Sequence, residues 1–182
     1  MNSKGLTVSK VIGGVVAVAV VIGGWNYFSV TQPVSSRLAK DSRNSKVSLW
    51  AYHQYGLLPS VLVVDLRNVD DEASAMDVIR ALFQGAEGLK DKKFERVVLA
   101  YKGAAKFVLE GEYFQKLGRD FEAQNPVYTI RTLPENVFKV DGTKAYGTWT
   151  GGWLGVMGKQ MEDVNQFSQD WYLSDFANSP AK

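Results

Sequence analysis

Between Lys10 and Arg37 the chain carries no charged residue, and its first half is almost purely Val, Ile, Ala and Gly up to Trp25. No other feature restricts the fold so strongly. An uncharged stretch without a polar face does not suit the surface helix of a soluble domain. Length decides among the alternatives. As a helix, residues 11–25 span about 22 Å, short of the roughly 30 Å hydrocarbon core, whereas extension to residue 30 reaches about 30 Å. Trp25, Tyr27 and Phe28 then fall near the far interface, where amphipathic rings are favoured.

The competing reading is a cleaved signal peptide, with Lys4 and Lys10 as its basic n-region. A small-x-small cleavage pattern close behind the apolar run is not obvious, and Val34-Ser35-Ser36 lies rather far downstream. The expectation is therefore an uncleaved single-pass anchor over residues 11–30, after a tail of residues 1–10. Lys10 abuts the apolar run and Arg37 stands several residues beyond its end, which favours an N-inside chain with the domain outside the cytoplasm. The bases after the run pull the other way.

Residues 31–46 contain Pro33, four serines and mixed charge, and read as a tether. Residues 47–177 read as one small folded domain, followed by a polar tail over 178–182. The fold class expected is α/β or α+β, with a mixed sheet. Residues 61–66 and 96–101 are short β-branched runs typical of buried strands. Between them Met76, Ile79, Leu82, Phe83, Ala86 and Leu89 recur at helical spacing, with Asp70 and Asp71 placed at the helix start. Strand, amphipathic helix and strand make a βαβ unit with parallel strands. Lys102-Gly103 predicts a tight turn into an antiparallel neighbour over 105–109. A short helix over 112–121 and a strand over 127–132 follow. An irregular stretch over 134–146 comes next, with a turn at Asp141-Gly142. The final amphipathic helix has Leu154, Met157, Met161, Val164, Phe167 and Trp171 as its stripe.

Composition narrows function chiefly by exclusion. There is no cysteine, so disulfides, thiolate catalysis and cysteine metal sites are ruled out for this chain. A single histidine, His53, leaves no partner for a histidine metal centre. From Val47 onward 15 bases face 18 acids, a net charge of −3, which disfavours binding to a nucleic-acid backbone. No phosphate-binding glycine loop or nucleophile elbow is present, and no cofactor is expected.

The remaining candidates are few. Asp65 and Arg67 lie at the carboxyl end of a buried strand, where open α/β sheets bind ligands. Asp65, His53 and Glu110 are the candidate catalytic groups of an envelope hydrolase or transferase, and the same sheet edge would serve a small-ligand sensor. Asp65 is equally suited to pairing with a nearby base. Residues 146–153 (YGTWTGGW) set aromatic rings among glycines. Tyr146, Trp149 and Trp153 there are candidate binding residues, together with Arg67. A helix entry capped by Thr150 with Trp153 in the core is the other reading of this stretch. The functional expectation is a membrane-tethered, non-catalytic binding or assembly module of the cell envelope. Its expected partners are lipid through the helix and a protein through the domain.

Overall fold

The computed structural model describes residues 3–121 and 126–178. The chain is α+β, with a long apolar N-terminal helix and a five-stranded mixed sheet in the order β1-β2-β3-β4-β5. The strands are β1 (Val47–Gln54), β2 (Leu58–Val69), β3 (Arg96–Tyr101), β4 (Ala104–Glu110) and β5 (Val137–Lys139). Helix α3 (Ala75–Gly88) links β2 to β3, and these two strands are parallel, as the βαβ pattern requires. All other neighbouring strands pair antiparallel. Lys102 and Gly103 both take positive φ (49° and 86°), the backbone pattern of a tight type I′ hairpin turn.

Helix α1 (Ser3–Asn26) does not end at the domain. It runs through a π-helical turn (Tyr27–Thr31) into α2 (Gln32–Leu38). Proline lacks the N–H that an α-helix needs at Pro33 and crowds the preceding turn, so a widened turn just before it keeps the rod continuous. Within this rod the helix Ile12–Leu38 is long and apolar enough to cross a membrane by length and composition, and almost none of its apolar window is buried inside the protein.

The tether expected over residues 31–46 is therefore corrected. Val30, Val34 and Leu38 recur every fourth residue and are buried in the domain core, Val30 in the π turn that packs on β1 and Val34 and Leu38 in α2, which packs on α3. Glycines in α3 permit the approach, since a Cβ at Gly88 would come 2.9 Å from the carbonyl oxygen of Pro33. Arg37 pairs with Glu87 across the same contact.

Helices α2, α3 and α4 (Gly111–Asp120) pack on one face of the sheet around Leu49, Ala51, Leu62, Val64, Leu66, Val97, Leu99 and Leu109. Helix α6 (Trp153–Ser168), a second π turn (Gln169–Leu173) and α7 (Ser174–Ala177) close that core with Phe167, Trp171 and Tyr172. Trp171 Nε1 donates to the carbonyl of Ala100 at 3.1 Å, where a bulge interrupts the β3–β4 ladder. The opposite face holds a smaller cluster of Val61, Val63, Val98 and Ala100 flanked by Tyr52 and Val108, all from strands.

Three further expectations are corrected. Helix α3 begins at Ala75, because Ser74 and Asp77 form a reciprocal capping box, while Asp70 caps the preceding turn by accepting from the N–H of Glu72. Residues 127–132 are not a strand but lie in helix α5 (Pro126–Thr132), where Pro126 occupies the first helical turn at no hydrogen-bond cost. Helix α6 is entered through Gly152 rather than Thr150, and Leu154 lies outside the buried stripe.

Candidate functional site

The glycine–aromatic stretch reaches the surface, where it meets a helix that had read as a strand. Helix α5, the turn after it and the start of α6 enclose an open groove of about 400 Å³. Its aromatic walls are Tyr128, Trp149 and Trp153. Its floor is polar: Arg131 donates to Gln160 Oε1 at 3.0 Å, and Gln160 in turn donates to Glu135. Gln160 is buried, so both ends of its amide are used, as a buried amide requires. The Arg131 guanidinium also lies 5.1 Å from the Tyr128 ring centre, which orders both groups.

Trp149 is pinned but not buried. Its indole N–H donates to Asp163 Oδ2 at 2.6 Å, and the Lys159 ammonium sits 5.7 Å from its ring centre. It keeps 38% of its surface exposed. Trp153 keeps 67% and Leu154 keeps 70%, which excludes the reading of Trp153 as a core residue. Val127 and Tyr128 add apolar surface on the facing helix. Of these, Tyr128, Trp149 and Trp153 line one groove, and exposed aromatics so grouped are common in interaction surfaces.

Tyr146 does not belong to this groove. Its ring packs beside Phe107 and Phe167, and its hydroxyl donates to Asp170 at 3.0 Å. Burial, and then that carboxylate, push its phenol well above the usual tyrosine range. It is a half-buried residue packed against the edge of the core, with a satisfied polar tip.

The three catalytic candidates are far apart. Asp65 is fully buried on the strand-only face of the sheet. Its Oδ2 accepts from Arg67 Nη1 at 2.9 Å and from the Tyr52 hydroxyl at 3.2 Å, and its Oδ1 accepts from the N–H of Gly103 at 3.0 Å. The carboxylate thus pins the β3–β4 turn to β2. Arg67 is held by that ion pair and lies 5.3 Å from the Trp50 ring centre. Burial, and then the Asp65 charge, raise the Tyr52 phenol.

His53 lies on the opposite, helix-bearing face, as strand alternation demands. It stacks on Trp25 with ring centres 4.3 Å apart, and its Nε2 is 3.1 Å from the Ser29 hydroxyl. Burial, and then nearby Lys92, lower its pKa and favour the neutral ring at pH 7. Glu110 is exposed at the end of β4, opposite Arg96, whereas Asp65 lies opposite Ala100. Four residues of strand separate the two carboxylates by about 13 Å along the sheet. Among the described residues there is no cluster of three or more groups able to hold a metal ion.

The groove residues that sequence reasoning missed are Tyr128, Arg131, Glu135 and Gln160. The spacing of Tyr128 and Arg131, three apart, would have placed them on one face once residues 126–132 were read as helix. No protein-family model, no curated protein and no solved structure matches this chain.

Proposed function

We propose that this chain is a single-pass membrane protein whose α+β domain is a non-catalytic binding module, with a protein partner seated over the Trp149–Trp153 groove. The helix would cross the bilayer with Lys4 and Lys10 on the cytoplasmic side and the domain in the envelope. The observation that carries the binding reading is the exposure of Trp153 and Trp149 beside an ordered polar floor. Rigid aromatics give much contact area for little entropy lost, and Arg131, held in place by Gln160, would supply a directional contact at the centre. A hydrolase or transferase acting from Asp65, His53 or Glu110 draws no support from groups that lie on different faces and at different ends of the sheet.

The test is one exposed side chain. Partners of the detergent-solubilised protein are captured and identified with wild type and with Trp153→Ala in parallel. The variant should lose the specific partner, with an affinity at least about tenfold weaker, as expected for truncating an aromatic hot spot. Its stability should stay within about 0.5 kcal/mol of wild type, as for other surface changes. Undiminished capture would remove the groove from the account. A large fall in melting temperature would show that Trp153 serves packing instead.

A further inference from the structure

Two hairpin turns at opposite poles of the sheet each carry a pair of positive-φ residues, and their chemistry is opposite. At the β3–β4 turn the two positive-φ residues are Lys102 and Gly103, polar as expected for water. At the β1–β2 turn they are Tyr55 (φ 56°) and Gly56 (φ 74°), followed by Leu57 and Leu58. A bulky residue at positive φ is disfavoured, and asparagine or aspartate would suit that position better. Tyr55 is nevertheless 81% exposed and Leu57 60%, so neither side chain is there to fill the core.

This apolar tip lies against the N-terminal helix. Asn26 is buried at the junction: its Oδ1 accepts from the N–H of His53 and its Nδ2 donates to the carbonyl of Gly56, both at 2.8 Å. Trp25 stacks on His53, and Thr31 donates to the carbonyl of Ala51 at 2.7 Å. Gly56 also abuts Ile22, since a Cβ there would come 3.2 Å from Ile22 Cγ2. Ile22 lies about 9 Å along the helix axis from Phe28, on the side of the apolar run. Trp25, Tyr27 and Phe28 are all exposed at that level. The exposed lysines Lys92 and Lys93, with Asp91 beside them, lie at the same pole, because the N–H of Glu95 donates to the carbonyl of Ser60 at 2.8 Å.

We infer that the β1–β2 hairpin tip, residues 55–58, inserts into the same membrane leaflet that the N-terminal helix enters. The inference rests on the reading of that helix as a membrane anchor. Tyr55 takes the interfacial position that such rings favour, and Leu57 and Leu58 reach the upper acyl chains. Lys92 and Lys93 face the phosphates of the headgroups. The hairpin is fastened to the helix through Asn26, so the domain stands at a fixed height and orientation over the bilayer instead of swinging on a flexible stalk.

Because the chain has no cysteine, a single introduced one can be labelled cleanly. Full-length protein carrying Leu57→Cys, Val18→Cys or Asp71→Cys is labelled with an environment-sensitive fluorophore. Each is then reconstituted into phosphatidylcholine–phosphatidylglycerol vesicles with shallow nitroxide lipids. All three positions are exposed, and Asp71 follows β2 at the pole away from the tip. The label at position 57 should shift to the blue and lose most of its emission to the nitroxide, as the label at 18 does, while that at 71 stays bright. Quenching at 18 with none at 57 overturns the hairpin insertion and leaves the anchor standing. Absence of quenching at 18 overturns the anchor, and the insertion with it.

Discussion

A soluble fragment that begins at Ser45 should fail to fold cooperatively, whereas one that begins at Asn26 should fold. The difference lies in helix α2 and the turn before it. Val30, Val34 and Leu38 are buried in the domain core, and burying each such side chain contributes about 1.5–3 kcal/mol. Their loss alone removes about 5–9 kcal/mol by that measure, comparable with the whole stability of an ordinary domain. The shorter fragment also gives up the contacts of Asn44, whose amide donates to Gln84 and to the carbonyl of Leu38. Urea titrations followed by far-ultraviolet circular dichroism would compare the two. A sigmoidal transition for 26–182 and none for 45–182 is the expected pair. Equal midpoints would mean that the helix merely rests on the domain.

Replacing Trp171 with alanine should cost about 3–5 kcal/mol, the range for truncating a buried aromatic. Trp171 is fully buried, with Phe167 5.4 Å away and Tyr172 6.2 Å away by ring centres. Its N–H satisfies the carbonyl of Ala100 at the bulge. Trp171→Phe separates the two contributions: it keeps most of the packing and leaves that carbonyl unpaired, for a cost of about 1–3 kcal/mol. Calorimetry of the 26–182 fragment should show Trp171→Ala lowering the melting temperature by about 6–20 °C, given 2–4 °C per kcal/mol for a domain of this size. A shift as small as that expected for Trp153→Ala would place Trp171 outside the core. The two tryptophans in one helix-and-turn element thus make an internal contrast between packing and surface.

Much of the architecture follows from periodicity. The runs 61–66 and 96–101 lie in β2 and β3, and the helical spacing between them is α3. The two runs are β-branched and buried on both faces of the sheet, and the fourteen-residue helix between them is long enough to show its period. The errors lie where a short segment could satisfy two periods at once. Residues 127–132 alternate, yet the proline before them starts a helix, and seven residues are too few for the pattern to decide. In the stretch read as a tether, serines and a proline outweighed a signal that was present. Val30, Val34 and Leu38 recur every fourth residue and continue the phase of the apolar helix.

The groove was half legible for a related reason. Trp149 and Trp153 stand out among glycines, but Arg131 and Glu135 come from another part of the chain. Only the packing of α5 on α6 brings them together. Asp65 shows the reverse. Its position at a strand end suits a catalytic acid, and only the fold shows its carboxylate engaged by Arg67, Tyr52 and the N–H of Gly103.

The anchored protein requires that the apolar helix remain in the mature chain and cross a membrane. Carbonate extraction of membranes containing the full-length chain, followed by intact-mass measurement of the protein in each fraction, tests this directly. The account predicts that the protein stays in the pellet with residues 11–30 attached. A soluble chain whose mass shows that it starts beyond the apolar run would contradict it.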